Sequence, residues 1–124
     1  MNAREEYMDI LTGLINATDA GKLTWKRQNP TTLYLERRTA SGELAVISLQ
    51  KVQNRTRDRQ TGRIRAIETY VFTVKNVSNK EFIIQIDSNE DGDFQDILGN
   101  LFNLSNYRIE KSNIDFLRGI FDDL

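Results

Sequence analysis

The chain contains no cysteine and no histidine among its 124 residues. Without cysteine there are no disulfides, no thiolate nucleophile, no zinc finger and no iron–sulfur ligation. Without histidine the usual general base near neutral pH and the commonest transition-metal ligand are absent, and a Ser-His-Asp triad is impossible. No stretch approaches the roughly 18–20 apolar residues of a membrane span. The amino terminus, MNAREEYMD, is charged and lacks an apolar signal core. The expectation is a cytoplasmic protein that is not an enzyme and needs no cofactor.

What is present suits an ordinary core. The composition, 39% hydrophobic and 28% charged, is that of a globular chain. The length fits one domain over residues 1–124. The net charge of −1 is unevenly placed: residues 1–65 hold 12 Lys/Arg against 7 Asp/Glu, and residues 66–124 hold 5 against 11. Such asymmetry points to a face for nucleic acid or an acidic partner, or to a few basic loops.

One long hairpin organises the rest. Its arms, Glu43–Gln53 and Ile64–Val77, are rich in Val, Ile, Tyr, Phe and Thr, and a basic connection, Asn54–Arg63, joins them. On the second arm Ile64, Ala66, Tyr70, Phe72 and Val74 share a face interrupted by Glu68, with Ile67, Val71 and Val77 opposite. Apolar residues on both faces predict a central strand at least partly covered on both sides. Before the hairpin, Ala3–Ala20 carries a helical stripe of Tyr7, Ile10, Leu11, Leu14 and Ile15. Asn2 caps it, with Glu5 three residues on, and Gly21 ends it; Gly13 inside it predicts close approach to the sheet. Lys22–Gln28, with Leu23 and Trp25 on one face, and Thr31–Arg38 read as strands about an Asn29-Pro30 turn. Lys80–Asp87 reads as a fifth strand whose alternation breaks at Ile83. Phe94, Ile97, Leu98, Leu101 and Phe102 then form a helical stripe, capped by Asp91 or Asp93. Asn103–Lys111 fits no single pattern. Ser112 with Asp115 resembles a capping pair for a last helix, Asn113–Asp123, whose stripe is Ile114, Leu117, Ile120, Phe121 and Leu124. The predicted fold is α+β: a five-stranded antiparallel meander sheet with an N-terminal helix and two C-terminal helices packed on it.

The stretch Gly21-Lys22-Leu23-Thr24-Trp25, after an amphipathic helix and before a meander and a C-terminal helical segment, resembles a layout seen in small bacterial and phage proteins without assigned activity. The resemblance implies a prokaryotic or phage origin and brings no site residues.

Two stretches could carry binding chemistry. Asp87, Asn89, Asp91, Gly92 and Phe94 match positions one, three, five, six and eight of a calcium loop, and Asp93 adds a further carboxylate. The twelfth position, a bidentate glutamate in such loops, is Leu98, so Asp96 or water would have to substitute. An acidic turn between strand and helix accounts for the same residues. The second stretch is the hairpin tip, where Arg55, Arg57, Arg59, Arg63 and Arg65 surround the single Asp58, with Lys51 beside them and Arg37 and Arg38 in reach of the same patch. Arginine's planar fork suits phosphate and carboxylate. The tip holds no aromatic residue for base stacking, which single-strand binders use, and a charged tip also blocks edge pairing.

Glu36, Glu43 and Glu68 are the carboxylates a glycosidase pair would draw on, but nothing in the sequence places a second group beside any of them. Trp25, the only tryptophan, reads as a core plug whose ring N–H seeks a carbonyl. If the last helix is more apolar than the sheet can cover, Phe116, Phe121 and Leu124 form a dimer or partner patch. The sequence therefore predicts a protein-binding accessory protein with a basic tip. Nucleic-acid binding through the same arginines, a calcium module at residues 87–96 and a homodimer stay open beside it.

Overall fold

Asn2 starts the first element: its side-chain oxygen accepts the Glu5 N–H at 3.0 Å, and helix α1 runs over Ala3–Asp19. The helix ends in a Schellman turn. Gly21, at φ +74°, donates to Thr18 O, and Lys22 N–H reaches back to Ala17 O. In this computed structural model, which describes residues 2–122, the strands follow as β1 (Lys26–Asn29), β2 (Thr32–Arg38), β3 (Leu44–Arg57), β4 (Ile64–Asn76) and β5 (Glu81–Asp87). A 3-10 turn (Gly92–Phe94) leads into helix α2 (Gln95–Phe121).

The five strands form one antiparallel sheet in sequence order, as a meander of short turns dictates. Two apolar rows cross it: Leu33–Leu49–Phe72–Ile86 and Leu35–Ile47–Val74–Ile84. Leu11 of α1 and Leu98, Leu101 and Phe102 of α2 close over these rows, together with Phe94 and Trp25. The broken alternation at Ile83 is a bulge. Val74 pairs with Ile84 but Lys75 pairs with Phe82, so Ile83 is the extra residue. Phe82 thereby lies under the Lys75 ammonium, 4.9 Å from the ring centroid.

The two helices run side by side in the same direction. Arg4, in the first turn of α1, pairs with Asp91 (2.6 Å) and Asp93 ahead of α2, and Arg108 of α2 donates to the carbonyls of Thr18 and Asp19 at the far end of α1.

Several expectations change. The two C-terminal helices are one. Ser112 and Asp115 sit inside continuous helix because nothing between Gln95 and Phe121 breaks it: there is no proline, and the buried Ser105 and the core-packed Ile109 keep facing the body of the protein. Asp123 and Leu124, predicted for the last helix and its stripe, lie outside the described residues. The first strand is shorter than Lys22–Gln28. Residues 22–25 are held against the end of α1 instead, where Trp25 is buried and its ring N–H donates to Thr18 Oγ1 at 3.0 Å, a hydroxyl in place of the expected carbonyl. The hairpin connection is shorter than Asn54–Arg63, because Asn54–Arg57 continue β3 and pair with Ile64–Ile67. Close approach of a glycine occurs at Gly99, where a Cβ would stand 3.2 Å from the Tyr70 ring, and not at Gly13, which faces open space. The expected partial cover of β4 on both sides is met unevenly: helices cover one face, and neighbouring side chains alone shield the other. Ile67 and Val71 are half-buried among their neighbours on the other.

Candidate functional site: the basic β3–β4 arm

β2 pairs with β3 as far as Gln50, and β5 pairs with β4 as far as Val71. Lys51 still donates to Thr31 O and Tyr70 still bonds to Ser88; beyond them β3 and β4 pair only with each other in the ladder, and Arg57 lies about 20 Å further out at the usual strand rise. The base of this two-stranded arm is tied to the body. Gln95 donates from its side chain to Glu68 O at 2.6 Å, and the Lys51 ammonium sits 5.2 Å from the Phe102 ring centroid and 3.8 Å from the Glu68 carboxylate. Glu68 thus interrupts its apolar face at the point where the body ends, and it pairs with a lysine across the strand. Burial pushes the phenol of its neighbour Tyr70 above the ordinary tyrosine value, and the Glu68 charge pushes it further.

The tip is a defined turn. Asp58 N–H donates to Arg63 O and Gly62 N–H to Asp58 O, both at 2.8 Å. Asp58 Oδ1 accepts Gln60 N–H at 2.8 Å, and Gly62 supplies a φ of +69°. The one acidic residue of the tip is thus spent on folding the loop. None of Arg55, Arg57, Arg59, Arg63 and Arg65 has a carboxylate partner among the described residues.

Strand alternation divides these five. Arg55 and Arg57 lie on the helix-side face of the arm with Ala66 and Ile64, an isoleucine 58% exposed. Arg65 lies opposite Thr56 on the other face, which continues into the uncovered side of the sheet with Ile67, Val71, Val46 and Tyr34. Arg59 and Arg63 belong to the turn itself. Arg37 and Arg38 stand at the opposite end of the sheet, beside the β2–β3 turn, and do not join the patch.

The acidic stretch is built differently. Asp87 Oδ1 accepts Asn89 N–H, Asp91 Oδ1 accepts Asp93 N–H, and the other oxygen of Asp91 and one of Asp93 hold the Arg4 guanidinium. Arg4 supplies the positive charge that this turn calls for. The entering element is strand β5, and Leu98 at the twelfth position is fully buried in the core. Among the described residues no three Asp or Glu side chains are grouped to hold a metal ion. Arg4, Asp87, Glu90, Asp91 and Phe94 line a shallow hollow of about 290 Å³. Glu36 stands exposed on the uncovered face, and Glu43 accepts a hydrogen bond from Asn76 at 2.9 Å, so neither meets Glu68.

The sequence pointed to the arginines but hid how far past the sheet they are carried. It also left Arg4 out of the acidic turn. The only signal for that pairing was a surplus of carboxylates without a nearby cation. No described helix is long and apolar enough to cross a membrane. Compared with known proteins, the chain matches no family model, no curated protein and no solved structure.

Proposed function

We propose that this chain is a small non-enzymatic binding protein that engages a protein partner through the β3–β4 arm. The observation that carries the proposal is a braced, two-stranded arm bearing five arginines with no carboxylate partner among the described residues. Charges without internal partners add little to the fold and are available to an acidic surface on another molecule. The arm offers Ile64 directly opposite Arg57, with Arg55 on the same face, so its helix-side face combines an apolar anchor with a charged rim, the make-up of a partner contact. The uncovered sheet face beyond Arg65 extends the contact.

The test compares wild type with a variant in which Arg55, Arg57, Arg59 and Arg63 are alanine, each immobilised and folded by circular dichroism. Proteins retained by wild type and lost from the variant are the expected result. An unchanged set overturns the assignment. Binding of labelled nucleic acid is measured in parallel. Affinity that falls with salt at a log–log slope of about −3.6, the value for roughly four neutralised phosphates, would replace the protein partner with a phosphate backbone.

A further inference from the structure

Helix α2 outruns everything it packs on. Residues 112–121 are exposed all round, past the end of α1 and beyond Arg27 of edge strand β1, which holds Asn106 and Glu110. The outward stripe of α2 changes character at that point. Along the body it reads Asp96, Asn100 and Asn103; beyond Tyr107 and Glu110 it reads Ile114, Leu117 and Phe121, with Ile120 alongside. Ile114, Leu117, Ile120 and Phe121 are between 44% and 57% exposed.

A second feature runs beside this stripe. Lys111, Asp115, Arg118 and Asp122 follow one another at helical spacing, so they form a single row along one flank. The signs alternate: plus, minus, plus, minus. Laid antiparallel on a copy of itself, with Leu117 beside Phe116 of the other chain at the centre, the row is self-complementary throughout. Lys111 faces Asp122, Asp115 faces Arg118, and the same two pairs recur by symmetry. In that register Ile114, Leu117 and Phe121 of the two chains alternate along the seam.

We propose that the overhanging end of α2 pairs antiparallel with the same segment of a second copy, forming a twofold dimer. The occupant is argued from charge and area together. A row that is its own complement under a twofold axis fits a second copy of this chain. The four apolar side chains and the flanking lysine and arginine stems offer roughly 500 Å² per copy, hence roughly 1,000 Å² per pair, the lower limit for a specific interface. The dimer is therefore concentration-dependent. It leaves the β3–β4 arm free and does not depend on what the arm binds.

The experiment is sedimentation velocity on the full chain from about 1 to 300 µM, concentrations chosen for a small interface. Wild type shifts from monomer to dimer across the range, and Leu117→Asp stays monomeric. Two charge variants follow: Lys111→Glu with Arg118→Glu, an all-negative row, and Asp115→Lys with Asp122→Lys, an all-positive row. Each is monomeric alone, and an equimolar mixture forms the heterodimer, because all four facing pairs are opposite in sign again. Wild type that stays monomeric at the highest concentration overturns the proposal. So do single-sign variants that dimerise like wild type, or a mixture that does not associate. All variants lie in the exposed overhang, and unchanged circular dichroism confirms that they fold.

Discussion

Of the three glycines inside helices, Gly13, Gly99 and Gly119, the first two behave oppositely. Gly13 faces open space in α1, with no heavy atom within 4 Å of where a Cβ would stand. Gly13→Ala keeps a helical backbone and removes the entropic cost of glycine, so it stabilises by about 1 kcal/mol, or about 3–6 °C in melting temperature. Gly99 carries the same intrinsic cost, but its added Cβ would stand 3.2 Å from Tyr70 Cε2. That ring is buried and tilted against Phe102 at 5.7 Å, with little room to yield. Gly99→Ala therefore loses the helix gain, and its melting temperature falls below that of Gly13→Ala by at least the equivalent of about 1 kcal/mol. Tyr70 itself gives a pH prediction. Its folded phenol titrates above the ordinary value near 10, through burial first and the Glu68 charge second. The folded state then holds a proton that the unfolded chain has released, so the contribution of Tyr70 to stability is complete below about pH 10 and declines as pH rises through the folded value. An ultraviolet absorbance titration of the native protein shows one phenol ionising late, and Tyr70→Phe removes that step.

At the scale of elements the decisive comparison is whether residue 112 begins a helix or lies within one. An N-cap serine replaced by alanine costs about 1 kcal/mol, whereas an exposed serine in a helix interior gains up to about 0.5 kcal/mol on the same change. Because α2 is continuous from Gln95 to Phe121, Ser112→Ala is neutral to slightly stabilising in thermal melts. A loss of about 1 kcal/mol would restore two helices. The same residue shows why the sequence was legible in part. Local periodicity located α1, the start of α2 and strands β2 to β5, since each buries a stripe or an alternating face of its own, whereas β1 is exposed along its length. A capping pair such as Ser112 and Asp115 has the same letters whether or not the preceding turn is helical, and only Ser105 and Ile109 packing inward decides it. Lys22–Trp25 alternates like a strand, yet the Schellman turn at Gly21 and the Trp25–Thr18 hydrogen bond tie it to α1 before pairing begins. The arginines of the site were plain in the sequence. Their division between two faces was not, because it follows from the pairing of Arg55 with Ala66 and Thr56 with Arg65, a register that polar residues do not specify.

For the whole molecule, the layout separates what holds the fold from what projects from it. Every core residue belongs to α1, α2, the Trp25 segment, the 3-10 turn or the part of the sheet below Lys51 and Tyr70, and none lies in the arm beyond them. The arm can therefore be removed without opening the core. Lys51 N–H donates to Thr31 O on the β2 side, so the alternate residues of β3 bond toward β4, and Asn54 opposite Ile67 is a hydrogen-bonded pair. A two-residue Asn-Gly turn closes a hairpin at such a pair in the twist the strands already have. Replacing residues 55–66 by Asn-Gly keeps Asn54 and its bond to the buried Thr69, and discards all five arm arginines, Arg55, Arg57, Arg59, Arg63 and Arg65. The shortened protein is expected to melt within a few degrees of wild type, because the lost residues bury little apolar surface and the lost loop entropy is small. It is expected to lose the partner retained by the arm while sedimenting with the same concentration dependence as wild type. A collapse in melting temperature would show that the arm belongs to the fold, and its length would then need no partner to explain it.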